Sequence, residues 1–340
     1  MKLRVRRLCG VCASLLVSCL LYSAGVPAQV VTLRLATQTL PGTAQYDGAS
    51  KFAELVAKKS SGRLAVKVFG DGALGGDLQV ISSLQRGSVE ISLMNASLLN
   101  GVAKEFAILD FPFLFDSEEE AYSVLDGPIG QRLIDLLPAK GIVGLSYPEL
   151  GFRHIHNSKH PVTRLEDLQG LKIRTVQTPI YVETLSALGA NAVPLPFPDL
   201  YHVLEKKVVD GATDPLVTID ILKFDEVQRY LTLTRHVYNP QIFLVSKMTW
   251  DKLSSDERAT LQDAANDARD FERKLSKEKN AQALEKLKRT MQLSVLSPQE
   301  TEKMRQAVTP VTQKYTKVVG AELVAETNAA LARLRGKKPI

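Results

Sequence analysis

The chain has 340 residues, 45% of them apolar, with 43 basic against 37 acidic side chains and a formal net charge of +6. Four of the basic residues, Lys2, Arg4, Arg6 and Arg7, open the chain in a stretch of 28 residues with no acidic one; without them 39 basic face 37 acidic residues, a net charge of about +2, which removes the charge argument for a nucleic-acid partner. This much apolar chain is ample for a packed core, and its length favours two lobes over one.

In chain order, the positive residues at 2–7 are followed by an apolar run from Leu8 to Tyr22 and by the small-residue site Val26-Pro27-Ala28. That is the pattern of a secretory signal peptide over residues 1–28, with the exported chain starting at Gln29. Leu16-Val17-Ser18-Cys19 loosely resembles a lipoprotein box, but cutting there would split the apolar run in its middle. Cys9, Cys12 and Cys19 all fall in this leader, so no disulfide or Cys-based metal site is expected in the exported chain. No later segment reaches the roughly 18 apolar residues of a membrane span.

Alternating and helical periodicities then succeed one another. Val31 to Ala36 reads as a strand, Thr43 to Lys59 as an amphipathic helix, Leu64 to Phe69 as a strand, Leu78 to Arg86 as a helix and Val89 to Met94 as a strand. The alternation returns after Gly170. Leu171 to Arg174 is a strand, Thr178-Pro179 opens a helix that Gly189 closes, and Asn191 to Leu195 is a strand. Pro198 opens a helix through Lys206, and Val208 begins a strand ending near Asp214. Ser254 to Glu257 forms a capping box, and mostly three- to four-residue apolar spacing with no proline or glycine predicts a helix from about Ser255 to Gln292. Such a helix is long enough to brace two lobes; a dimerisation coiled coil is the alternative, although strict heptads fail around Lys277 to Gln282. Ser297 to Glu300 caps the C-terminal helices.

The expected fold class is α/β and bilobed: two α/β domains joined by hinge strands near residues 150 and 240, with the long helix as a brace. Lobe I takes 29–150 plus 240–279, and lobe II takes 151–239 plus 280–340. In an open α/β sheet a ligand sits outside the carboxyl ends of the strands, where Arg174, Phe197 and Asp214 all fall. Arginine suits that place because its planar guanidinium grips a carboxylate through parallel charge-assisted bonds.

Enzyme readings are weak. Gly70 to Gly75 fits G-x-G-x-x-G between a strand and a helix, with Glu90 about twenty residues on, yet Asp71 and Asp77 put negative charge where a pyrophosphate would lie. His154 and His156 share one face of a strand, but no carboxylate or cysteine adjoins them to complete a metal site with His160, so solvated strand histidines are expected. No nucleophile with a neighbouring base stands out, and Glu118 to Glu120 suit a helix start.

The segment from Gly151 to Tyr238, with its GLKIRTVQTP, LGANAVPLPFP and VVDGATDP stretches, strongly resembles the substrate-binding subunits of TRAP transporters, the C4-dicarboxylate-binding-protein-like (DctP) family of periplasmic solute-binding proteins. The likeness extends over essentially the whole exported chain, including Leu74-Gly75-Gly76-Asp77 and Phe111 to Phe115. It implies a periplasmic-binding-protein fold in the periplasm. It also implies a receptor that closes on a small-molecule carboxylate and delivers it to TRAP membrane permease subunits driven by a sodium gradient, with no cofactor and no catalysis. Arg174 matches the family's ligand-pairing arginine, Arg153 a second arginine, and Phe197 a cleft aromatic. Gln38, Asp77 and Asn95 fall near positions that supply polar contacts in relatives.

Asp214 departs from the pattern, since many relatives carry an amide there. A second negative charge beside a bound carboxylate is repulsive unless the ligand supplies donors. Asp214 is therefore expected either to accept hydrogen bonds from substrate hydroxyls or to face an ammonium group, which favours a sugar acid or other hydroxy acid such as a uronate or aldonate, or else to orient Arg174 or Arg153. A C4-dicarboxylate or an aromatic hydroxy or 2-oxo acid is the alternative ligand. An exported carbohydrate-acid enzyme and a ligand-presenting sensor module are the alternative functions. The chain is expected to act as a monomer.

Overall fold

The computed structural model describes residues 30–336, so the leader lies outside the described residues. The first half contains β1 (Val31–Ala36), α1 (Ala44–Lys59), β2 (Leu64–Phe69), α2 (Asp77–Gln85), β3 (Ile91–Asn95), α3 (Glu118–Leu125), α4 (Pro128–Asp135) and β4 (Ile142–Ser146). The chain then crosses in β5 (Glu149–Asn157) and continues through β6 (Lys172–Thr175), α5 (Pro179–Ala187), β7 (Asn191–Pro194), α6 (Leu200–Glu205), β8 (Gly211–Asp214) and α7 (Leu216–Ile221). It returns in β9 (Tyr230–Ser246) and α8 (Lys247–Trp250) and ends with α9 (Ser255–Thr290), β10 (Gln292–Val295), α10 (Pro298–Val319) and α11 (Ala321–Leu334).

The expected strand and helix order is borne out, with small shifts at the ends. The strand before Asp214 starts at Gly211, because Val208 is exposed and Asp210 instead holds the backbone N–H of Lys172 through its carboxylate. Thr178 is the N-cap of α5, but its hydroxyl makes no hydrogen bond and Pro179 opens the helix. Ser254 and Glu257 close a reciprocal capping box on α9.

The strands run in the order β2-β1-β3-β9-β5-β8-β6-β7, with β4 and β10 also on β9. The 17-residue β9 is common to both halves of the sheet. Its C-terminal part, Gln241 to Ser246, pairs with β3 and β4, and its N-terminal part pairs with β5 and β10. Beside it β5 breaks register at Gly151, whose φ of +95° is left-handed and suits glycine. The two strands crossing near residues 150 and 240 are thus where the halves join, as expected of a bilobed α/β protein.

Helix α9, 36 residues and about 54 Å at 1.5 Å per residue, packs on both halves. Leu261, Ala264, Ala265 and Ala268 join the core of α1 and the first-half strands, while Ala283 and Leu287 join that of α6, α7 and Leu231. It is a brace within the chain. Helix α10 packs on the 3-10 turn Lys104–Asp110 and on α5, and α11 on α3 and α4, so residues 280–334 touch both halves instead of following 151–239 alone. Among the described residues no helix is long and apolar enough to cross a membrane.

Candidate functional site

A cavity of about 260 Å³ lies between the halves, and all seven residues expected in the site line it. From the second half, β6 brings Arg174, the loop after β7 brings Phe197, the end of β8 brings Asp214, and the crossing strand β5 brings Arg153. From the first half come Gln38 after β1, Asp77 at the start of α2 and Asn95 at the end of β3. Leu40, Leu93, Leu98, Leu150 and Ile221 give the walls an apolar background, the usual setting for a small-molecule site with a few convergent polar groups.

Arg174 is 3% exposed. Its Nε and Nη2 both donate to the carbonyl of Leu195, at 3.0 and 2.7 Å, which fixes the plane of the guanidinium. Nη1 and the second N–H of Nη2 have no acceptor among the described residues, so one edge of the fork stays free. The ring centre of Phe197 lies 5.8 Å from the guanidinium carbon. Burial pushes Arg174 down to about 10, with Asp214 and Asp77 opposing and Arg153 adding to the fall, so it stays charged at neutral pH.

Arg153, 2% exposed, is differently occupied. Nε donates to Thr213 Oγ1 at 3.1 Å, Nη1 to Asn239 Oδ1 at 2.8 Å, and Nη2 to the Thr213 carbonyl and to Asp214 Oδ1. A single Nη1 N–H is left for anything else.

Asp214 pairs inward. Its Oδ1 lies 3.1 Å from Arg153 Nη2 and its Oδ2 3.1 Å from His156 Nε2. Burial alone would raise this carboxyl, but His156, Arg153 and Arg174 outweigh it and hold it below the ordinary range, so it is ionised at neutral pH. The acid found in place of an amide is thus met by the Arg153 guanidinium on one oxygen and by the His156 ring on the other. His156 was expected to be solvated; it is fully buried, stacked on Phe224 at 5.6 Å, with Gln228 Oε1 3.3 Å from Nδ1. His154 is buried as well, and burial with Arg235 nearby pushes it down to about 3. The carboxylate that seemed missing beside these histidines is Asp214, brought there by the antiparallel pairing of β5 with β8. Among the described residues no cluster of His, Cys, Asp or Glu could hold a metal ion.

Asn95 is engaged by its neighbours. Its Oδ1 accepts from Ser97 N at 2.9 Å, and its amide exchanges bonds with that of Asn239 at 3.1 and 3.2 Å. Asn239, unnoticed in the sequence, also donates to Tyr181 Oη at 2.8 Å, so it ties Arg153 of the crossing strand to both halves. Behind it Ser97 donates to Asp110, a carboxyl that burial raises to about 7 against the pull of Ser97, Tyr181 and Arg153.

Asp77 makes no hydrogen bond among the described residues and keeps solvent contact within the cavity. Protein atoms nevertheless enclose it, and that desolvation pushes its carboxyl up to about 7, with Arg174 pulling the other way. The loop before it, the G-x-G-x-x-G match, is committed to structure. A side chain at Gly70 would meet the Thr39 carbonyl and the Tyr46 ring at 2.7 Å, Gln38 Nε2 donates to the Gly75 carbonyl at 2.9 Å, and Glu90 is ion-paired to Arg34.

Residues 35–318 match the family model described as bacterial extracellular solute-binding protein, family 7. The chain belongs to this DctP family. A TRAP periplasmic solute-binding protein from Ochrobactrum anthropi, whose C-terminus occupies its ligand-binding pocket, shares 50% identity and a TM-score of 0.83, over 90% of this chain and 96% of its own. The sugar acid binding protein DctPAm from Advenella mimigardefordensis, solved with galactonate, shares 42% identity and a TM-score of 0.87 over 89% and 98%. The C4-dicarboxylate-binding periplasmic protein DctP of Rhodobacter capsulatus is 30% identical over 96% of this chain and 99% of its own. The chain is therefore a TRAP transporter solute-binding protein with the bilobed fold of that family, a transport component and not an enzyme, and the family is periplasmic.

Proposed function

We propose that this solute-binding protein captures an organic acid in the cavity and hands it to TRAP membrane permease subunits. The ligand carboxylate meets the free edge of Arg174, with the remaining N–H of Arg153 as a second donor. The observation that carries this is the Arg174 fork: buried, charged, held in plane by Leu195, and open on one edge. Phe197 flanks the carboxylate, Asp214 holds Arg153 in place, and Gln38, Asp77 and Asn95 form the facing wall. Bending at β5 and β9 would close the halves over the ligand.

The best-supported ligand class is a sugar acid or other hydroxy acid such as an aldonate or uronate. The relative solved with galactonate is 42% identical, against 30% for the C4-dicarboxylate-binding relative. Inward pairing of Asp214 moves the weight of this reading from Asp214 to the first-half wall. A thermal-shift panel of aldonates, uronates, C4-dicarboxylates, 2-oxo acids and aromatic hydroxy acids tests it, because a ligand that binds only the native state raises its melting temperature. Stabilisation by the aldonate or uronate group is the expected result; stabilisation by dicarboxylates alone would overturn the ligand class.

A further inference from the structure

We propose that Glu149 and Glu272 share a single proton behind the crossing strands, and that this proton fastens the brace helix α9 to β5 until alkaline pH removes it. The proposal is independent of what the cavity holds, since neither carboxyl lines it.

Glu149 opens β5 opposite Pro240 of β9, two residues before the left-handed Gly151, so it stands where the two halves join. Glu272 reaches it from α9. Its Oε2 accepts the backbone N–H of Glu149 itself at 2.8 Å. Gln45 of α1 spans the two, its Nε2 donating to the Glu149 carbonyl at 2.7 Å and to Glu272 Oε1 at 3.1 Å. On the Glu149 side chain, Oε2 accepts from Tyr122 of α3 at 2.7 Å and from Tyr238 of β9 at 3.1 Å. The two glutamates are 1% and 0% exposed, and a Cβ at Gly48 would lie 2.8 Å from Cβ and Cγ of Glu272, so α1 closes directly over the pair.

Every one of these partners is a neutral donor. Arg273, next to Glu272 on α9, is spent elsewhere: its guanidinium takes both oxygens of Asp126 and the Tyr147 carbonyl, 4.1 Å from the centre of the Tyr122 ring. Glu118 of α3 adds further negative charge. Two carboxylates buried together without a cation in contact repel, and such a pair keeps a proton between them. Burial accordingly pushes Glu272 well above the ordinary carboxylate range, with the charge of Glu149 adding and Arg273 and Gln45 opposing. Burial raises Glu149 too, against Tyr122, Ser276 and Tyr238. Holding one proton, the pair carries a single charge that the tyrosines, Gln45 and the Glu149 N–H can meet. Stripped of it, the pair carries two, and moving α9 off β5 is the relief open to it.

A carboxyl raised in the fold contributes stability that is full below its unfolded value and is lost as pH rises through the folded one. The test is denaturant unfolding of the ligand-free protein between about pH 5 and about pH 9, above the ordinary carboxylate range, for wild type, Glu149→Gln and Glu272→Gln. Glutamine keeps the shape and supplies a permanent donor in place of the shared proton. The folding equilibrium constant of each variant relative to wild type should rise with pH, by up to about tenfold per pH unit for one proton. A ratio that does not change with pH in either variant, whether at parity or at a uniform loss, marks an ordinary polar contact and overturns the shared proton. If neither variant folds, hydrogen exchange of wild type decides. Corrected for the intrinsic exchange rate, protection of residues 147–151 and 268–276 should fall with pH more steeply than that of α10, and equal steepness overturns the clasp.

Discussion

Arg153 Nη2 and Asp214 Oδ1 are 3.1 Å apart with both side chains about 2% exposed, on the adjacent antiparallel strands β5 and β8. The same carboxylate holds His156 through its other oxygen. A buried charge pair of this kind costs desolvation to form but far more to break, because a lone partner is left uncompensated. Asp214 is therefore predicted to position Arg153.

Asp214→Asn should destabilise the ligand-free protein by about 2 to 4 kcal/mol, near the range for removing one member of a buried pair. Denaturant unfolding at pH 7 measures it. The native carboxyl is held below its ordinary range, so its stabilisation is full above the unfolded value and is lost as pH falls through the native one. The gap between wild type and variant should accordingly narrow in acid. An unchanged unfolding midpoint would show that the pair does not stabilise the fold.

Asp77 is predicted to make affinity pH-dependent. Its carboxyl titrates at about 7 in the unliganded cavity, with Arg174 pulling it down against burial. A ligand carboxylate on Arg174 removes that pull and adds like charge, so the complex holds the Asp77 proton to higher pH. Affinity for galactonate should then fall as pH rises through 7, by up to about tenfold per pH unit for one coupled proton. Titrations at pH 6, 7 and 8 should show this slope in wild type and none in Asp77→Asn.

Asn239→Leu keeps the branched shape of the side chain but strips the partners of Arg153 Nη1, Asn95 and Tyr181. Leaving a buried polar group unpaired costs about 1 to 3 kcal/mol, and three are affected, so a loss of at least about 3 kcal/mol is expected. The unfolding midpoint of the ligand-free variant checks it.

Local order was legible where it is written locally. The capping box at Ser254 and Glu257, the proline at the head of α5 and the strand alternation around Arg174 all come from residues within a few positions of one another. What escaped depends on pairing across the chain. His154 and His156 read as solvated because what they touch lies some sixty to eighty residues away, Asp214 on β8 and Gln228 for His156 and Arg235 on β9 for His154. Asn239 and Gln241 sit in the stretch Val237 to Val245, where single amides in an apolar strand carry no signal of facing a network or a cavity. The amphipathic pattern of α11 likewise gives a buried face without saying that α3 and α4 cover it.

The most direct test of the account is titration of wild type and Arg174→Ala with galactonate. Arg174 is predicted to supply about 2 to 3 kcal/mol through charge-assisted bonds in a desolvated cavity, so the variant should bind roughly 30- to 150-fold more weakly while keeping its ligand-free melting temperature within a few degrees. Arg174→Ala binding as tightly as wild type would contradict the proposal that this fork is the carboxylate anchor.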